Sequence, residues 1–312
     1  MRVIDLHCDT ILRLMEDKES LELKRNLYSI DIEKLKKANS MAQFFALYID
    51  LKGEGPLENA LEMLDKFYIE MNKNKDSICI AKNYEELMKN EKEGKISAFL
   101  TIEEGGALKG KIHHLKNFYR LGVRLITLTW NYPNEIGYPS AGGVYQDQCL
   151  TKFGEEVVYE MNRLGMLIDV SHLSDGGFYH VSKLSKKPFI ASHSNARSIK
   201  NHTRNLTDHM IQILANKGGV IGINFEKEFL GEGSMSKVED MVAHIKHIKN
   251  IGGIDVLSIG TDFDGISDGL EISNMGEIHK LIHGLQKNNF SEEEIEKIFY
   301  KNSLRVIQEV LG

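Results

Sequence analysis

The chain has 312 residues, 42% hydrophobic and 27% charged, which is ordinary for a soluble globular protein and long enough to bury a large core without staples. Its net charge of −6 argues against nucleic acid or an anionic membrane as the main partner. Three widely spaced cysteines (Cys8, Cys79, Cys149) with no CxxC exclude a disulfide framework and a cysteine zinc site, and they fit a reducing compartment.

Strand-like sequence begins at once, at 3–7, so no signal peptide is expected. No apolar stretch reaches the ~18 residues of a membrane span, so a cytoplasmic protein is expected. A second strand is predicted at 42–48, then a helix at 57–71 with Leu57, Leu61, Leu64, Phe67 and Tyr68 on one face. Strands follow at 96–102 and 124–129. A helix at 153–164, carrying Val157, Val158, Met161 and Leu164, precedes strands at 166–170 and 188–192. A helix at 206–215, with Thr207-Asp208 as its start signal, leads to a strand at 220–224. A helix at 238–251 leads to the last strand, 256–260. Helices at 278–285, 292–299 and 303–311 close the chain, with Ser291 and Glu294 in capping-box spacing. Most of the strands are continuous apolar runs, as expected when both faces are buried. Eight strands alternating with helices predict one α/β domain over residues 1–312, a (β/α)8 TIM-like barrel with extra C-terminal helices. A doubly wound open sheet is the alternative.

In such a barrel the active site lies at the C-terminal ends of the strands. Those ends carry His7 and Asp9, Glu103-Glu104-Gly105-Gly106, Thr129-Trp130-Asn131, Asp169-Val170-Ser171-His172, Ser192-His193-Ser194, Asn224, and Asp262-Phe263-Asp264-Gly265. Residues two apart on a strand share a face, so His7 and Asp9 project together and Cys8 points the other way. Alone, His-x-Asp also fits a capped strand end. Taken with His172, His193 and the carboxylates, it predicts a metal site of catalytic type with open positions, because imidazole and carboxylate ligands without cysteine suit such a zinc site. Five ligands exceed one tetrahedral zinc, so two ions sharing a carboxylate fit better.

The ordered set Asp5-Leu6-His7-Cys8-Asp9, Glu104-Gly105-Gly106, Leu125-Ile126-Thr127-Leu128-Thr129, Asn162-Arg163-Leu164-Gly165-Met166, Asp169-Val170-Ser171-His172, Ser192-His193-Ser194, Arg204-Asn205 and Asp262-Phe263-Asp264-Gly265 resembles the renal (membrane) dipeptidase family of zinc peptidases. The resemblance implies that His7, Asp9 and Glu104 hold one zinc and that Glu104, His172 and His193 hold a second. Strand parity leaves Glu103 open as the bridge; the match to Glu-Gly-Gly favours Glu104. It further implies Asp262 as acid/base, Arg204 as the anchor of the substrate carboxylate, and attack by a metal-bridging hydroxide on short peptides, including those with a C-terminal D-residue. Many relatives carry His where this chain has Trp130, so Trp130 and Asn131 are read as substrate-binding residues. A homodimer is compatible with the resemblance. The rival functions are another hydrolase on the same barrel, such as an N-acyl-amino-acid deacylase, and a degenerate barrel kept for zinc binding or protein interaction.

Overall fold

The computed structural model describes residues 1–16, 21–53 and 55–312. Its strands are β1 (Val3–Asp5), β2 (Ser40–Tyr48), β3 (Ile78–Ile80), β4 (Ile96–Glu103), β5 (Val123–Thr127), β6 (Leu167–Asp169), β7 (Ile221–Ile223) and β8 (Leu257–Ile259). They pair in parallel in the order β6-β5-β4-β2-β1-β8-β7, and β3 joins the start of β4. Residues 190 and 191 link the two free edges. The Val170 N–H donates to the Ile190 carbonyl (2.8 Å) and the Ala191 N–H to the Val220 carbonyl (3.0 Å). The sheet thereby curls into a TIM-like barrel.

The predicted strand at 188–192 is thus reduced to two isolated bridges. Pro188 has no N–H to give, and the Ser192 N–H turns to the Asp169 carboxylate (2.9 Å) instead of a neighbouring strand. The Ser192 carbonyl also enters space that any side chain at 222 or 260 would fill. A Cβ on Gly222 would lie 1.9 Å from that oxygen, and one on Gly260 1.7 Å. Only glycine permits this approach.

Burial on both faces follows from the apolar runs. Ile4, Phe44, Phe99, Leu125, Leu167, Ile190 and Val220 meet inside the barrel, where Val306, Ile307, Val310 and Leu311 of the C-terminal helix Asn302–Leu311 join them. Alternate residues such as Phe45, Leu47, Leu100 and Ile102 pack outward in the helix layer. The C-terminal helix plugs the end where the strands begin, leaving the opposite mouth accessible.

The expected helices stand at Pro56–Lys73, Lys152–Leu164, Asp208–Asn216, Val238–Gly252, His279–Lys287, Glu292–Glu296 and Asn302–Leu311, and the Ser291–Glu294 capping box forms. Further helices at Thr10–Glu16, Ile32–Lys37, Tyr84–Lys92, Ile112–Arg120 and Asp175–Leu184 add to them. Among the described residues, no helix is long and apolar enough to cross a membrane.

Candidate metal centre

Strand β1 stops at Asp5, two residues short of the predicted end. The Leu6 N–H donates to Ile259 on the β8 side (3.0 Å), whereas the Cys8 N–H donates to Phe44 on the β2 side (3.1 Å). Residues two apart on a regular strand bond to the same neighbour, so the chain changes phase here, as at a bulge. Leu6 stays inside the barrel, Cys8 enters the outer layer, and His7 and Asp9 turn towards the mouth.

His7 Nε2 lies 3.1 Å from Glu103 Oε2, 3.4 Å from Asp9 Oδ2 and 3.7 Å from Asp262 Oδ1. The other oxygen of Glu103 lies 3.0 Å from His172 Nε2 and 3.6 Å from His193 Nε2. Glu103 therefore presents one oxygen to His7 and the other to the His172–His193 pair. All six residues are buried. Two overlapping sets, His7–Glu103–His193 and His7–Asp9–Asp262, each bring ligand atoms within 4.8 Å of one another.

Glu104, expected as the bridge, is elsewhere. Its carboxylate accepts the backbone N–H of Gly106 (2.6 Å) and of Trp130 (2.8 Å), and the side-chain amide of Asn134. Strand phase explains this. Phe99 faces the barrel interior, and Leu100 and Ile102 face the helices. Glu103 is in phase with Phe99, and Glu104 is not. Glu104 then leaves the strand with φ 110°, a conformation rare outside glycine, and staples the loop that carries Trp130.

His172 (φ 68°) and Asp262 (φ 61°) also adopt the left-handed conformation, the kind of local strain that concentrates at functional sites. Asp262 Oδ2 accepts from the Asn224 amide (2.8 Å). Asn131 meets His172 Nδ1 through its side-chain oxygen (3.1 Å), so it is engaged by a ligand-type imidazole. Trp130 stands edge-on to Tyr48 (ring centroids 4.9 Å apart) in the wall of a cavity of about 440 Å³. Asp9, Glu103, Asn131, His172, Phe229 and Asp262 line the same cavity. Arg204 is buried, and one terminal nitrogen donates to the His193 carbonyl (3.2 Å) while its Nε has no hydrogen-bond partner. Asp264 accepts from Thr10 Oγ1 (2.6 Å) and the Ser29 N–H (2.7 Å), as a loop-holding residue does. Ser192 and Asn224, read among the strand-end residues, contact His193 and Asp262 respectively, and Tyr48, at the end of β2, is a cavity-lining residue that the sequence did not single out.

Burial lowers His172 to about 4, with Arg204 adding to the effect, and lowers His193 well below its ordinary value. Both rings are thus neutral, as ligands must be. For His7 burial opposes the charge, but Glu103 and Asp9 outweigh it and raise the imidazole well above its ordinary value. Burial likewise opposes charge on Glu103, where His7 and His172 outweigh it and hold the carboxyl well below its ordinary value. Burial raises Asp9 to about 6 and Asp262 to about 8.

The cluster fits a metal. Both ring nitrogens of His7, Asp9 Oδ1 and Glu103 Oε1 are buried without a hydrogen bond. Unpaired buried polar atoms are costly, and a cation among them removes the cost. The donor set is imidazole and carboxylate with no thiolate, since Cys8 faces away, and this is the chemistry of a catalytic zinc site.

Comparison with known proteins bears on what such a centre serves. The family model described as membrane dipeptidase (peptidase family M19) matches residues 1–311. The chain is 30% identical over 296 residues to an uncharacterized dipeptidase of Schizosaccharomyces pombe, covering 88% of this chain and 71% of that protein. Its fold is similar to that of a solved M19 metallopeptidase, dipeptidase AC, with a TM-score of 0.94, 25% identity and coverage of 100% and 99% of the two chains. A metallopeptidase from Rhodobacter sphaeroides, solved with a phosphinate mimic of the dipeptide L-Ala-D-Ala, superposes with a TM-score of 0.92 at 24% identity and 99% coverage of each chain. A family match along nearly the whole length, joined to a barrel mouth built for metal, means that this chain belongs to the membrane dipeptidase family, peptidase family M19, and is a metallo-dipeptidase.

Proposed function

We propose that the enzyme uses two zinc ions and cleaves dipeptides that carry a free C-terminal carboxylate. The observation that supports this reading is the two-sided placement of Glu103. His7, Asp9 and Glu103 would hold one ion, and Glu103, His172 and His193 the other. When bound, such ions supply Lewis acidity towards the peptide carbonyl and lower the pKa of water.

The remaining work belongs to the side chains. Asp262 reaches the ligand cluster with Oδ1 while Asn224 holds Oδ2. From there it would take a proton from the attacking water and pass it to the leaving amine. Arg204 would bind the substrate carboxylate, since a guanidinium fork matches that group and its Nε is unpaired. This restricts cleavage to peptides whose carboxylate lies one residue from the scissile bond. Trp130 would wall the substrate with its ring, with Asn131 holding His172. Acceptance of a C-terminal D-residue is part of the proposal, and the mimic bound by the Rhodobacter sphaeroides relative is of that kind.

Metal analysis and a substrate panel test the reading. The expected result is two zinc ions per chain and hydrolysis of L,L and L,D dipeptides, with little action on N-acyl amino acids or C-terminally amidated dipeptides. A single ion at full activity, or a preference for N-acyl amino acids, would overturn it.

A further inference from the structure

Asp169 is fully buried and takes no part in the ligand cluster. Its Oδ1 accepts the N–H groups of Ser171 (3.0 Å) and Ser192 (2.9 Å). Its Oδ2 accepts the hydroxyls of Thr127 (2.7 Å) and Ser192 (2.6 Å). All four of these contacts are donated to Asp169, two to each oxygen. The single proton of Ser192 Oγ is therefore committed to Asp169. The same Oγ lies 2.7 Å from His193 Nδ1 and can only accept there. His193 must then carry its proton on Nδ1 and present a bare lone pair at Nε2, on the side of Glu103 and His172.

His172 is treated in a parallel but weaker way, because its Nδ1 faces the neutral amide oxygen of Asn131. With both Nδ1 atoms protonated, the two Nε2 lone pairs face each other at 2.9 Å, and Glu103 Oε1 stands 3.0 Å from one of them.

We infer that Asp169 and Ser192 are positioning residues that fix the Nδ1–H tautomer of His193 and so prepare its Nε2 for metal. The relay crosses between two ligand-bearing segments. Asp169 precedes His172 by three residues and Ser192 precedes His193 by one, so the loop that supplies one imidazole orients the other. A carboxylate behind a ligating imidazole also raises its basicity, and loss of such support commonly costs 10–100-fold in metal affinity. The inference rests on the reading of His193 as a ligand.

The test has two arms. The first uses wild-type protein labelled with 15N histidine, with and without zinc, and records the tautomer of His193 by long-range 1H–15N correlation, assigned against His193→Gln. Nδ1–H in both states is expected; a proton on Nε2 in the metal-free protein overturns the inference, whatever any variant does. The second measures zinc affinity by chelator competition in wild type, Ser192→Ala and Ser192→Thr, with the near-UV spectrum confirming the native fold. Affinity in Ser192→Ala should fall about 10–100-fold, and Ser192→Thr, which keeps the hydroxyl, should recover part of it. Unchanged affinity in natively folded Ser192→Ala refutes the relay. Failure of the wild type itself to bind zinc would instead refute the ligand reading.

Discussion

Glu103→Gln and Glu104→Gln are adjacent, nearly isosteric substitutions whose effects should separate. The first removes a unit of negative charge whose oxygens lie 3.1 Å from His7 Nε2 and 3.0 Å from His172 Nε2. An opposed pair of unit charges about 4 Å apart is worth roughly 4 kcal/mol at an effective dielectric of about 20. Each 1.4 kcal/mol is about tenfold in affinity. Neutralising Glu103 should therefore weaken cation binding by about three orders of magnitude for each unit of ion charge it faces, and kcat/KM should fall with it.

Glu104→Gln acts on different contacts. Its oxygens accept from Gly106, Trp130 and Asn134, and a glutamine would turn one acceptor into a donor aimed at another donor. An unsatisfied buried group of this kind costs about 1–3 kcal/mol of stability, with metal retained. Zinc content after dialysis, urea unfolding and kcat/KM on a dipeptide separate the outcomes. Loss of metal in Glu104→Gln with metal kept in Glu103→Gln would refute the argument from strand phase.

Other substitutions probe the roles assigned to the rest of the site. Asp262→Asn should keep its zinc and lose about 10²–10⁴-fold in kcat, the range for a lost general acid–base; full turnover would remove Asp262 from proton transfer. Arg204→Met removes hydrogen bonds to a charged group worth about 1.5–3 kcal/mol, so KM for a free dipeptide should rise about 10–100-fold while any residual cleavage of amidated dipeptides is unaffected. An equal loss on both substrates would argue for a purely structural Arg204. In the metal-free protein, burial raises Asp262 to about 8 and Glu104 to about 7, so the folded chain keeps protons that unfolded carboxylates have lost. Stability without metal should then fall as pH rises from about 6.5 to 8, by about 1.4 kcal/mol per pH unit for each proton held. Below about 6.5, the buried neutral His172 works in the opposite sense, because the unfolded imidazole protonates first. Urea midpoints in chelator measure this slope, and a rise between pH 6.5 and 8 would contradict it.

The barrel and most ligand types are legible in the chain because both have local causes. Strands buried on two faces read as apolar runs, and a polar residue closing each run marks the mouth. What fails is whatever depends on how one strand meets the next. In β4 the inward Phe99 and the outward Leu100 and Ile102 are all apolar, so hydrophobicity cannot distinguish the faces or choose between Glu103 and Glu104. The polar Ser97 and Thr101 share the phase of Glu103, and this weak alternation was the available signal. The segment at 188–192 fails for a related reason: its edge is spent on the Asp169 carboxylate and on the approach to Gly222 and Gly260, neither visible from its own residues. Likewise the phase break at Leu6–His7 arises where the backbone switches its hydrogen bonds from the β8 side to the β2 side, which its own residues do not announce. A set of ligand types can thus be read along a chain, whereas the choice between adjacent carboxylates is made by strand phase. In a doubly buried sheet, that phase is defined by the closed barrel and hardly at all by the polarity of the strand.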